Sequence, residues 1–407
     1  MAEKAEVQIQ KVVVAQVGAR EHYEPAAMLA RNGRLEMLFT DVWNPIACDL
    51  PDWVLKCMPR QFASFWARRR SDIPPNKVRS FAISSLGWRF NSERAKQREA
   101  QYLAWARSDA EFTRAVLPYL ESTPHDVFFG YSSASLELMR YERKSKRKTV
   151  LDVMDLARKE EEIIAVEGAK YPNLCMGFEP APECYFRRRD EELEEADVVI
   201  VNSGWCKDAM VEQGVDEKKI RIVPLCYRPT IAAERARRHR VLRVLWLGAL
   251  SLRKGLPYAL EAARMLLGQS VEFTFAGPLA VQPSGLKLPS NARYIGRVAR
   301  SLVPDLYRQH DVFLLPTLSD GFAITQVEAM AYGLPVIATP RCGDVVEHGV
   351  SGFLVPPYSP EAISKAVAEF LDSDLLDAMS FAALRRSQDF LPEHVAPAFL
   401  KALFDPA

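Results

Sequence analysis

Two doubly wound α/β domains are the fold this sequence predicts, and three observations predict it. Strand-like and helix-like stretches alternate along the chain, the pattern of parallel sheets covered by helices on both faces. At 407 residues the chain exceeds what one hydrophobic core sustains, since cores stop growing at about 250–300 residues. The texture also breaks at a polar, Arg-rich stretch over 229–240, after which a fresh series of strands begins.

In the first half, 11–17, 35–39, 78–83, 126–129, 149–151 and 197–201 read as strands, separated by helical stretches such as 92–108 and 183–195. The second half supplies 241–247, 271–276, 312–315, 336–338 and 353–355. The last segment, 392–403, has helical apolar spacing. The expected division is therefore a domain over 1–228, a connector over 229–240, a domain over 241–390 and a terminal helix over 391–407. No repeat of 20 to 50 residues argues for another architecture. In open α/β sheets ligands bind outside the carboxyl ends of the strands, so the loops after 11–17, 241–247 and 311–315 matter most.

Composition narrows the function. Lys and Arg total 53 against 52 for Asp and Glu, so no global field calls for a nucleic acid partner. Seven scattered cysteines without a C-x-x-C pair fit a reducing compartment, and cytoplasm is the expected location. The N-terminus has no apolar signal core and no run approaches 18 apolar residues, so any membrane contact would be peripheral, at the inner membrane face. The six His and seven Cys show no metal-ligand spacing, and no metal is expected.

The stretch 316–335, P-T-L-S-D-G-F-A-I-T-Q-V-E-A-M-A-Y-G-L-P, carries the chemistry. Asp320 falls in a strand-to-helix loop, and 323–332 has helical spacing closed by Gly333. A 100° step places Glu328 in the same arc as Ile324, Val327 and Ala331. A buried carboxylate left unsatisfied costs about 1–3 kcal/mol or more, so Glu328 needs a protein donor or a ligand hydroxyl. The helix start after Gly321 offers free amide N–H groups, and the positive end of a dipole, to a phosphate. The other loop, G-A-L-S-L-R-K-G over 248–255, sets Arg253 and Lys254 at a strand end as well. An R-K pair alone reads as a solvated surface feature; next to the two acids it reads as a cationic clamp for a departing diphosphate. Gly248 and Gly18, which follow the opening strands of the two halves, complete the expected binding residues.

These motifs stand in a recognisable order: G-A-L-S-L-R-K-G, F-A-G-P over 275–278, Y-I-G over 294–296, the acid pair around D-G-F, G-L-P-V-I-A-T, and G-V-S-G-F-L-V-P over 349–356. Over 241–355 the chain resembles the retaining family 4 glycosyltransferases of GT-B fold, the glycosyl transferases group 1, whose two Rossmann-like domains face each other across a cleft and move a sugar from a nucleoside diphosphate to an acceptor. The first half resembles the acceptor domain more loosely, through 126–132, A-D-V-V-I-V-N-S and I-R-I-V-P. The resemblance implies a UDP-, GDP- or ADP-sugar donor without a separate cofactor or metal, and a carbohydrate or other hydroxyl acceptor. It implies that Lys254 contacts the diphosphate, that Asp320 lies by the donor sugar, and that Glu328 takes the ribose hydroxyls. Amides near Phe322 and Ala323 would hold phosphate, and the terminal helix would cross back onto the first domain. Two positions depart from the pattern. Ala249 stands where relatives commonly carry Arg, with Arg253 as a substitute charge from the same loop, and Asp320 is one methylene shorter than the usual Glu. No cleft histidine aligns in the first half; His22, after the first strand, is the candidate, against a structural role for a lone His.

Two other readings stay open: a nucleotide-sugar epimerase or hydrolase of the same fold, and a non-catalytic relative, to which Ala249 lends weight and against which Lys254, Asp320 and Glu328 together argue. A dehydrogenase fits poorly, because 17–23 lacks G-x-G-x-x-G. The basic run 140–148 reads as a solvated helix end rather than a lipid site, and 187–189 as a charged helix face. Gly343 and Asp344 suit a crevice wall or a plain turn. Trp43, Trp53, Trp66 and Trp88 read as core rather than as a sugar platform.

Overall fold

The computed structural model describes residues 10–44, 68–81, 98–229 and 241–405. The 230–240 part of the connector, the 92–97 part of the expected helix, and Trp53, Trp66 and Trp88 lie outside the described residues. Among the described residues the first sheet has seven strands in the order β3-β2-β1-β4-β5-β6-β7. They are β1 (Val12–Gln16), β2 (Leu35–Thr40), β3 (Val78–Ser80), β4 (Val127–Tyr131), β5 (Lys148–Val153), β6 (Val198–Val201) and β7 (Ile220–Ile222). The second has six, ordered β10-β9-β8-β11-β12-β13: β8 (Leu242–Leu247), β9 (Val271–Ala276), β10 (Ala292–Tyr294), β11 (Val312–Leu315), β12 (Val336–Ala338) and β13 (Gly352–Leu354). Every pairing is parallel.

Both sheets are covered on both faces, which is why their central strands are unbroken apolar runs such as V-V-V-A and V-F-L-L. Val12 and Val14 face the Glu24–Arg31 and Pro392–Phe404 helices, while Val13 and Ala15 face Phe112, Leu138 and Met210 on three others. In the second sheet Val244 and Trp246 pack with Leu260 and Val367, and Leu245 packs with Tyr307, Val327 and Met330.

The helix expected over 92–108 runs as Arg98–Ser122, through Pro118. Its buried Phe112, Val116 and Leu120, spaced by four, form the stripe that carries it past 108. β7 and β10, three residues each at or near sheet edges, are additional to the expected strands. Trp43 is buried in the first core.

The halves are interlocked. The Pro392–Phe404 helix lies on the first sheet, where Phe399 meets Phe129 edge to face at 5.5 Å. In return Ile163 and Leu174 join the core of the second sheet. In each sheet the strand order reverses between two central strands, β1 and β4 in the first and β8 and β11 in the second. Those are the places where an open sheet leaves a crevice for a ligand.

Candidate active site

β8 and β11 flank the reversal in the second sheet, so the loops that leave their carboxyl ends share one crevice. The β8 loop is fastened to the β11 loop by backbone: Leu318 N–H donates to the Arg253 carbonyl at 2.8 Å. Gly255, with φ +75°, passes so close that a Cβ there would stand 2.0 Å from the Pro316 carbonyl oxygen. This contact needs glycine. It delivers the Lys254 ammonium to the Asp320 carboxylate, with which it forms an ion pair. Arg253 lies beside them, donating to the Ser319 carbonyl at 2.9 Å with its guanidinium 3.9 Å from Asp320. Gly248 closes β8, donating to the Ala276 carbonyl at 2.9 Å, and Gly277 packs on its carbonyl.

Past Asp320 the chain enters the Ile324–Ala331 helix, which ends in a Schellman cap: Leu334 N–H reaches the Ala329 carbonyl at 3.1 Å and Gly333 N–H the Met330 carbonyl at 2.8 Å. Glu328 is buried, as its position in the apolar arc requires, and both its oxygens have protein partners. Arg300 donates to Oε1 at 2.5 Å and the buried Tyr307 hydroxyl to Oε2 at 2.9 Å. Burial and the adjacent carboxylate raise the Tyr307 pKa well above its usual value, which keeps the phenol a donor. At the front of the helix, the Ala323 N–H donates to the Cys342 carbonyl at 3.0 Å, so that amide is taken by the protein. The Phe322 side chain is buried against Phe390.

The first domain faces this crevice with three elements. After β1, Gly18 donates its N–H to Asp41 at 2.9 Å, and Glu21, His22 and Tyr23 all adopt left-handed φ of 49°, 50° and 61°. Three such non-glycine residues in a row are costly, and hydrogen bonds from Tyr23 to the Val42 carbonyl (3.0 Å) and from Tyr131 to Glu21 (3.1 Å) hold them. The turn presents His22 at the surface. Desolvation, followed by the Arg300 and Arg70 guanidiniums, lowers its pKa, while Glu328 opposes. His22 thus shares a field with residues of the second domain. The second element is Glu160 of the Arg158–Lys170 helix, 3.4 Å from Arg253. Burial, partly offset by Arg253, pushes its pKa up to about 7. The third is Asn202-Ser203-Gly204 after β6. Ser203 Oγ donates to the Gly321 carbonyl at 2.7 Å, and Gly204 N–H to Asp344 at 2.8 Å. Asp344 therefore ties the two domains together.

The structure brings Lys254, Arg253 and Asp320 together and sets His22 within electrostatic reach of Glu328. Sequence reasoning missed Glu160, Arg300 and Tyr307, which reach the site from distant segments without a motif. Several residues of the other charged runs are paired within the protein. Arg140 and Arg143 pair with Glu191 and Glu195, and Arg188 with Glu137. Arg189, expected on a charged helix face, is buried and paired with Asp155 at 2.8 Å. Among the described residues no three His, Cys, Asp or Glu side chains gather as a metal-ligating group. Nor is any described helix long and apolar enough to cross a membrane.

Residues 242–373 match the family described as Glycosyl transferases group 1. The chain is 25% identical over 258 residues to the amylovoran biosynthesis glycosyltransferase AmsK of Erwinia amylovora, covering 58% of each. It thus spans little more than half the length of this curated relative. Its structure resembles sucrose-phosphate synthase from Thermosynechococcus elongatus, with a TM-score of 0.67 at 18% identity over 96% of this chain and 98% of that one. Anabaena HepE in complex with UDP-glucose gives 0.61 at 16% identity over the same shares. Residues 242–373 are a glycosyl transferases group 1 domain, set in a chain of GT-B fold.

Proposed function

We propose that this protein is a cytoplasmic, retaining glycosyltransferase that moves a sugar from a nucleoside diphosphate to a hydroxyl of a carbohydrate or similar acceptor, without a metal ion. The observation that carries the reading is the meeting of Lys254, Arg253 and Asp320 at the strand reversal of the second sheet, opposite the first domain. As the glycosidic bond stretches, positive charge grows on the sugar and negative charge on the diphosphate. Lys254 and Arg253 answer the second, the kind of preorganised charge that is often the largest catalytic contribution. Asp320 orients Lys254 and lies at the sugar end of the clamp. Glu328 takes a ribose hydroxyl when Arg300 yields one of its oxygens. His22 meets the donor sugar or the acceptor from the other wall, its lowered pKa keeping the imidazole neutral and able to accept a proton. Closure of the two domains keeps water from the donor.

The relatives support the donor class: HepE was solved with UDP-glucose, and AmsK serves amylovoran biosynthesis. The test is a thermal-shift panel of UDP-glucose, GDP-mannose and ADP-glucose, since a specific ligand raises stability with occupancy. Product analysis with and without polysaccharide-type acceptors follows. A donor preference together with acceptor-dependent release of the nucleoside diphosphate is expected. Hydrolysis indifferent to acceptor, or no binding of any of the three, overturns the reading.

A further inference from the structure

Away from this crevice a cavity of 430 Å³ opens where the two domains meet a second time. It lies between the carboxyl end of the Arg158–Lys170 helix, the Leu256–Met265 helix, and the turns at 283–287 and 358–360. The size falls in the range of small-molecule sites, about 300–1,000 Å³. None of the residues assigned to the donor crevice lines it.

Its walls have a definite chemistry. Tyr258 packs edge to face with Tyr171 at 5.9 Å and with Tyr358 at 5.6 Å, and the Lys170 ammonium lies over the rings of Tyr171 and Tyr258 at 5.3 and 4.9 Å. Tyr358 holds a left-handed φ of 67°, a conformation that bulky residues rarely adopt. A 2.9 Å hydrogen bond between Arg341 and its hydroxyl fastens it there. Three cations, Lys170, Arg264 and Lys287, stand around the cavity. Glu261, also in the lining, pairs with Arg264 at 2.8 Å, and Glu167 behind it accepts the Tyr258 hydroxyl at 2.8 Å, so the lining carries three cations against one carboxylate. Arg264 also donates to the Lys287 carbonyl at 2.8 Å, so the guanidinium and the turn that carries the exposed Lys287 ammonium are fixed to each other.

Aromatic faces beside a surplus of cations suit a ring with an apolar face and an anionic substituent. We propose that this cavity binds an anionic saccharide, a pyranose bearing a phosphate or a carboxylate, with the ring against Tyr171 and Tyr358 and the anion on Arg264 and Lys287. The occupant touches both domains. One helix carries Lys170 in the cavity wall and Glu160 beside Arg253, ten residues or roughly 15 Å apart. A ligand here therefore favours the domain arrangement in which Glu160 and Arg253 meet.

The experiment is calorimetric titration of the full chain with glucose 6-phosphate, glucuronate and glucose, repeated on Lys287→Glu, a surface change that leaves the fold intact, and on Lys254→Ala. Binding of either anionic sugar, with glucose and the Lys287→Glu variant each weaker by about tenfold or more, supports the proposal. A response to glucose 6-phosphate alone identifies a phosphorylated sugar, and a response to glucuronate identifies a uronic acid unit of a glycan. Nucleotide-sugar binding is expected to survive Lys287→Glu, which keeps this test separate from that of the transferase reading. No binding at millimolar concentration, equal binding of glucose, unchanged binding in Lys287→Glu, or loss in Lys254→Ala overturns it.

Discussion

The Glu160 carboxylate of the first domain lies 3.4 Å from the Arg253 guanidinium of the second, and it does so with a pKa raised from 4.5 to about 7. Burial is the main cause; Asp155 and Asp320 add to it, and Arg253 and Lys254 oppose. Between those two pH values the folded protein holds a proton that the unfolded chain has lost, so this contribution to stability is whole below about 4.5 and disappears as pH rises through about 7. Glu21 and Asp109, also raised to about 7 by burial, act in the same direction. Asp155 and Glu137, whose pKa values are lowered, act only at lower pH, where their stabilisation is lost as they protonate. The melting temperature is expected to fall across this window, and Glu160→Gln to flatten the fall. An identical slope in the variant, read by thermal unfolding in a pH series, refutes the assignment.

Lys254→Ala should reduce turnover about 10²–10³-fold, the usual cost of removing one donor aimed at developing charge. Asp320 keeps Arg253 at 3.9 Å as a weaker partner, so the fold should survive. Lys254→Arg should not restore the rate, because a planar guanidinium cannot replace a compact ammonium in the space between Asp320 and the crevice. Steady-state rates with the donor identified by thermal shift decide the matter. Wild-type turnover in Lys254→Ala would remove the lysine from the mechanism.

The two sheets were legible because buried parallel strands are continuous apolar runs, and the Lys254–Asp320 encounter because both loops leave strand carboxyl ends. β7 and β10 are edge strands in which an arginine interrupts the apolar residues, I-R-I and A-R-Y, so neither shows a buried run. The partners of Glu328 were hidden for another reason. Arg300 and Tyr307 lie 28 and 21 residues away in sequence, and Arg300 opens a single 3-10 turn with no period of its own. Spacing said that Glu328 is buried and needs a donor; only tertiary structure says that two protein groups provide it. Glu160 is a still more distant case, 93 residues from Arg253 and on the other domain.

Those partners make Tyr307→Phe informative. The substitution keeps the ring, which stacks on Tyr332 at 5.3 Å, and removes the donor to Glu328 Oε2. A buried carboxylate oxygen left unpaired costs about 1–3 kcal/mol. The urea midpoint should fall accordingly with an unchanged slope. Arg300→Ala should cost less, since that side chain is 68% exposed and its pair is largely screened. The reverse ranking would mean that Arg300, not Tyr307, anchors Glu328.

Gly321→Ala separates stability from function. Gly321 sits between Asp320 and the Ile324–Ala331 helix, and a Cβ there would stand 2.2 Å from the Met154 carbonyl oxygen and 2.9 Å from the Asn202 side-chain nitrogen, both in the first domain. Asn202 can swing away, but the Met154 carbonyl is backbone after β5 and cannot. The added methyl must therefore push the domains apart at the point where Ser203 Oγ donates to the Gly321 carbonyl and Gly204 N–H to Asp344. The strand pairing within each domain is kept, because neither sheet runs through the contact. The expected result is a modest drop in melting temperature, a larger loss of turnover, and a wider particle in solution scattering, as the walls carrying His22 and Lys254 separate. Turnover and scattering both equal to wild type would show that the domains do not close on each other through this contact.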